Sequence, residues 1–166
     1  MLKRETTIKQ IAKNLALLSQ EVKLLSSINL YDINIIAEDF YSGLLNLIYD
    51  YELKNINHIE KNAAAIDLYD RKNRISVQVT CDNDSTKIHH TIKEFVSHKY
   101  YEEYNRLVIL ILTGKRQYST DFSLDTEGKI TFDKEKDIWD TEDLIKYIRT
   151  LEIDKLENMF LTKRIV

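Results

Sequence analysis

Between residues 8 and 25 an apolar side chain returns every three or four positions, at Ile8, Ile11, Leu15, Leu18, Val22 and Leu25. That spacing predicts one apolar seam along a helix of roughly twenty residues. It is also a heptad seam, so the helix is expected either to pack on its own domain or to pair with a second copy in a homo-oligomer. A second helix is predicted from about Ile35 to Tyr51, with Ile36, Phe40, Leu44, Leu47 and Ile48 on one face and Glu38, Tyr41 and Leu45 on a flank. Asn55 to Asn62 reads as a connecting loop.

The period then changes from 3.6 to 2. Ala64 to Asp70 and Arg74 to Thr80 are predicted strands, joined by the hairpin-length polar turn Arg71-Lys72-Asn73. Ile75, Val77 and Val79 alternate with Ser76, Gln78 and Thr80, while Ile66 and Leu68 oppose Ala65, Asp67 and Tyr69. Folding the pair as a hairpin brings Asp67 and Gln78 near one another. The helical period resumes through Ile88, Ile92, Phe95 and Val96, behind Asp84 or Ser85 as N-cap.

Leu107 to Leu112 is a continuous aliphatic run, the pattern of a strand buried on both faces and parallel to its neighbour. Gly128 to Phe132 reads as a short strand or edge hairpin. Asp137 to Asp140 leads into a helix capped by Asp140 or Thr141, and a last helix is expected from Glu152 to Leu161. This order predicts a three-layer α/β domain with a mixed central sheet flanked by helices.

With 166 residues, 43% of them hydrophobic, the chain has enough material for one core, so residues 1–166 are read as a single domain, with 1–28 as its N-terminal helix. No apolar run is long enough to span a bilayer. The N-terminus enters a charged amphipathic pattern directly, and Cys81 is the only cysteine. Together these point to a cytoplasmic protein with no intramolecular disulfide and no cysteine-based zinc site. A net charge of -3 excludes holding nucleic acid by bulk positive charge, so any such contact must be local.

The candidate chemistry lies in Ala65-Ile66-Asp67-Leu68-Tyr69-Asp70, then Ile75-Ser76-Val77-Gln78-Val79-Thr80, then Lys87, a pattern of Asp-x10-Gln-x-Thr-x6-Lys. Hydrolysis of a phosphodiester needs a cation that polarises the phosphate and lowers the pKa of an attacking water, and hard Mg²⁺ (or Mn²⁺) prefers oxygen ligands. Asp67 supplies the charge. Gln78 offers its side-chain carbonyl and Val79 its backbone carbonyl, while Lys87 could orient the water and counter developing negative charge.

These residues resemble the core motif of the PD-(D/E)XK nuclease superfamily. More narrowly, Ala-Ile-Asp-Leu-x-Asp, Gln-Val-Thr and Lys-Ile-x-x-Thr-Ile-x-x-Phe resemble the SMEK domain of bacterial defence-associated proteins, over roughly residues 34–113. The resemblance implies a restriction-endonuclease-like fold and a metal-dependent endonuclease acting on DNA in anti-phage defence. In it Asp67 would be the principal metal ligand, Gln78 the second motif position and Glu38 the helix-borne acid. It also implies a sensor domain or partner protein. Thr80 stands where the superfamily keeps its lysine, with Lys87 as the replacement from the following helix.

Lys93, Lys115 and Arg116 are candidate phosphate contacts, as is Lys99, against an ordinary role as solvated charge. His89 and His90 could touch phosphate or metal, and Tyr100, Tyr101 and Tyr104 could stack on bases, although core and rim packing is the plainer use of such rings. The competing reading is a catalytically silent module that keeps the fold for binding and oligomerisation.

Overall fold

A computed structural model describes residues 2–61 and 63–161. The chain opens with α1 (Leu2–Ser27) and α2 (Asp32–Tyr49), followed by β1 (Lys54–Asn55), β2 (Leu68–Asp70), β3 (Ile75–Thr80), α3 (Ser85–Ser97) and β4 (Arg106–Ile111). The short α4 (Lys134–Asp137) runs into β5 (Ile138–Asp140), and α5 (Thr141–Ile148) and α6 (Ile153–Leu161) close the chain.

The five strands form one sheet in the order β1-β2-β3-β4-β5. β1, β2 and β3 pair antiparallel, and β3, β4 and β5 pair parallel. The expected mixed sheet is therefore present, with the aliphatic run of β4 at a central position. Its alternate residues enter two separate cores. Val108, Leu110 and Leu112 join Ile75 and Val77 under α1, α2, α5 and α6. Leu107, Ile109 and Ile111 join Ile88, Ile92 and Phe95 of α3 on the other face.

The seam of α1 is used inside the domain. Ile11, Leu15 and Val22 are buried and Ile8, Leu18 and Leu25 pack against the same core, where α1 touches α2, α5 and α6. Self-association through this helix would have to use its other side, which bears the exposed Leu17 and Leu24, with the exposed Ile28 in the turn that follows. Two helix starts follow from side-chain caps. Asp84 accepts from the Thr86 amide at the head of α3, and Asp140 and Asp143 form a reciprocal capping box at the head of α5.

Four expectations need correction. On α2 the buried face is Ala37, Tyr41, Leu44, Leu45 and Ile48, whereas Ile36 is 60% exposed, because the helix turns its small Ala37, and not the adjacent Ile36, into the core. The expected loop from Asn55 holds an edge strand and a 3-10 turn, Ile56–His58; its end, Asn62, lies outside the described residues.

Regular β2 begins only at Leu68. The preceding Ala65 has φ +64°, and Ile66 consequently shares the α3-side core with Tyr69 instead of opposing it. Finally, Gly128–Phe132 is not a strand. Phe132 plugs the α3-side core beside Phe122, and the fifth strand is Ile138–Asp140, which had read only as a lead into α5.

Candidate metal site at a strand fork

β2 and β3 separate at Asp67, and the separation makes the site. The last main-chain rung between them runs from the Asp67 amide to the Val77 carbonyl at 2.9 Å. One rung further, the Val79 amide meets the Asp67 carboxylate instead of backbone, donating to Oδ2 at 2.7 Å. Gln78 Nε2 donates to the same oxygen at 2.7 Å and lies 3.4 Å from the Val79 carbonyl. The Val79 carbonyl thus borders the widening gap with only a long contact to Gln78, since β2 has already left the sheet. The left-handed Ala65 marks that departure, a conformation uncommon for a residue with a side chain.

Glu38 comes to this place from α2. It is 7% exposed and its Oε2 accepts from Asn57 Nδ2 at 2.8 Å and from Asn55 Nδ2 at 3.1 Å. Asn55 Nδ2 also reaches Asp39 Oδ1 at 2.9 Å, and His58 Nε2 lies 3.1 Å from that same oxygen. Asn55 and Asn57 are the site-lining residues that sequence reasoning missed. The signal present was the Asn-x-Asn spacing, since the Asn55 side chain accepts from the Asn57 amide as an Asx turn does. What the turn holds was not encoded locally.

The two acids sense one another. Burial pushes the Asp67 carboxyl up to about 7, and the negative charge of Glu38 adds to the rise; the Val79 amide and the Lys87 charge pull the other way. Burial also raises Glu38, against the hydrogen bonds from Asn57 and Asn55. Lys87 sits half-buried on the first turn of α3, held there by the Asp84 cap and by its own amide donating to the Asp84 carbonyl at 3.1 Å, and its ammonium makes no ion pair or hydrogen bond among the described residues. Sequence reasoning placed Asp67, Gln78, Val79, Glu38 and Lys87 together, and the fold brings the first four to one fork with the charge of Lys87 within electrostatic reach of Asp67.

Other candidates are engaged elsewhere. Lys93 Nζ is 3.6 Å from Asp125, Lys115 Nζ is 2.7 Å from Asp143 and donates to the Ile138 carbonyl, and Arg116 bonds Asn83 and lies 3.6 Å from Asp84. His89 is hydrogen-bonded to Asp125 and set edge-on to Phe122, tying α3 to the 3-10 turn Ser123–Thr126. His90 is exposed on α3. Tyr100 and Tyr104 pack with Phe95 and Tyr69 in and around the core. The Thr80 hydroxyl accepts from the Asp82 amide at 3.1 Å and stabilises the turn after β3.

The donor set suits a hard cation. In each acid one oxygen takes two N–H donors, while Asp67 Oδ1 and Glu38 Oε1 take none among the described residues. Among the described residues the Gln78 amide oxygen is likewise without a donor. None of the three is sealed from solvent, because the only fully enclosed side-chain polar atoms without a partner among the described residues are the hydroxyls of Tyr41 and Thr91. Among the described residues no three His, Cys, Asp or Glu side chains cluster as a closed metal site. An ion here would take two carboxylates, an amide and a main-chain carbonyl, with water completing the shell, which is how Mg²⁺ is commonly held.

The sheet, its helical layers and this acidic fork define a mixed α/β domain with a buried pair of interacting carboxylates. The SMEK domain model matches residues 10–149, and the chain belongs to the SMEK domain family. No curated protein and no solved structure matches it. No helix among the described residues is long and apolar enough to cross a membrane.

Proposed function

We propose that this domain is a divalent-metal-dependent phosphodiesterase of the PD-(D/E)XK type, built on a restriction-endonuclease-like core and cutting DNA as an effector of anti-phage defence. One observation carries the reading: two buried, electrostatically coupled carboxylates from different elements, Asp67 and Glu38, each have one oxygen held by two N–H donors and the other without a donor among the described residues. Two such acids do not ionise together cheaply, and a cation between them removes the repulsion. Mg²⁺ or Mn²⁺, when bound, would polarise the phosphate and acidify a water.

The chain's own residues have separate tasks in this mechanism. Asp67, Glu38, Gln78 and the Val79 carbonyl hold the ion, with both acids anchored through one oxygen so that the other stays available. Lys87 places positive charge beside Asp67, where it can orient a water and offset charge developing on the phosphate. It stands in for the strand lysine that Thr80 does not provide.

Supercoiled plasmid incubated with the protein and Mn²⁺ or Mg²⁺ tests this. Nicking by the parent and not by Asp67→Ala is expected, with Lys87→Ala slowed by roughly 10²-fold or more, the scale of a lost acid–base or charge-stabilising group. Equal behaviour of parent and Asp67→Ala would favour a silent binding module, the reading that Thr80 supports.

A further inference from the structure

One three-residue segment touches both acids of the fork. Through its main chain, Ile56 donates to the Asp67 carbonyl at 2.8 Å. Through its side chains, Asn55 and Asn57 both donate to Glu38 Oε2. Asn55 further fixes its neighbour Asn57 by accepting from the Asn57 amide at 3.0 Å. Asn55 ends the edge strand, paired to Leu68 of β2, and Ile56 and Asn57 open the 3-10 turn that follows, so the segment is anchored to the same sheet that sets Asp67.

A glutamate on a helix has three side-chain torsions, and without partners its carboxylate would sample several directions. Two donors on one oxygen remove that freedom and leave the other oxygen with a single outlook. Both amides are neutral and present their N–H₂ to the acid, so each acts on Glu38 as a hydrogen-bond donor.

We propose that Asn57, with Asn55, is a positioning residue for Glu38: the pair fixes which carboxylate oxygen faces Asp67 and so sets the affinity of the fork for a divalent cation. This rests on the metal-site reading above, and the same titration separates the two. Outer partners of metal ligands characteristically change metal affinity by about 10- to 100-fold when removed.

The test is Mn²⁺ binding by the 166-residue chain, followed by electron paramagnetic resonance of the free ion, alongside metal-free melting. Asn57→Ala is expected to weaken Mn²⁺ at least about tenfold while the metal-free melting temperature stays near the parent's. Asn57→Gln, which keeps an amide donor, should recover part of the loss. A purely structural role would lower the metal-free melt and leave affinity unchanged once folded.

If Asp67→Ala abolishes binding but Asn57→Ala binds as the parent does, the positioning role is wrong and the metal site stands. If Asp67→Ala also binds as the parent does, both readings fall. Should truncation unsettle the turn, Asn57→Leu, of similar volume and without donors, repeats the comparison, and retained affinity there overturns the proposal.

Discussion

Asp67 is enclosed to nine-tenths, yet among the described residues it is not paired with any cation at contact distance; its partners are an amide side chain and a main-chain N–H. A carboxyl raised to about 7 in the folded state, against an ordinary unfolded value near 3.8, binds protons more tightly folded than unfolded. Its contribution to stability is therefore full below the unfolded value and lost as pH rises through the folded one. Each tenfold change in proton affinity is about 1.4 kcal/mol, so the loss by pH 8 is on the order of a few kcal/mol. Asp67→Asn keeps an oxygen for the Val79 amide without the charge. It should exceed the parent's melting temperature by clearly more at pH 8 than at pH 5, where most of the loss is still to come, and millimolar Mn²⁺ should raise the parent's melting temperature at pH 8 but not the variant's. A melting difference that is the same at both pH values would show that ionisation of Asp67 is not what limits the fold.

At the scale of elements, α1 separates into a side that the domain uses and a side that it does not. Leu15, 1% exposed, lies in the core, so Leu15→Ala should cost about 3 kcal/mol. Leu24, 57% exposed on the same helix, should change stability by less than about 0.5 kcal/mol when cut to alanine. Urea unfolding of the two variants checks the contrast, and equal losses would mean that the apolar seam is not what holds the helix. That seam was legible because a 26-residue helix repeats its signal over seven turns. β4 was legible because a strand buried on both faces has no polar alternation to hide it. β5 was not, since Ile138-Trp139-Asp140 is too short for any period and becomes a strand only by pairing with Ile109–Ile111. The fork was half legible. The alternation in β3 put Gln78 on the right side, and a hairpin brought it to Asp67. The slip of Ile66 into the other core required the positive φ of Ala65, which an alanine does not announce.

For the whole molecule the governing quantity is where positive charge is left to meet a polyanion. The net charge is -3, and Lys93, Lys115 and Arg116 each have a carboxylate within 3.6 Å. Lys115 is furthest from being a free contact, because its ammonium also holds the Ile138 carbonyl at the junction of β5 with the rest of the sheet. Its replacement should therefore destabilise the fold more than it weakens any nucleic acid. Lys87 is the basic group at the fork without such a partner among the described residues. If DNA is held at the fork alone, about one to three phosphates are neutralised there, and the affinity should fall with salt along a logarithmic slope between about -1 and -3. Fluorescence anisotropy of a labelled duplex, with Ca²⁺ in place of Mg²⁺ to prevent cutting, measures that slope between 50 and 200 mM salt, a range suggested by the usual strength of phosphate contacts. Lys87→Ala should make it shallower by about one. A slope near -8 in the parent would show that basic groups far from the fork take part, and holding DNA at the fork alone would then be wrong.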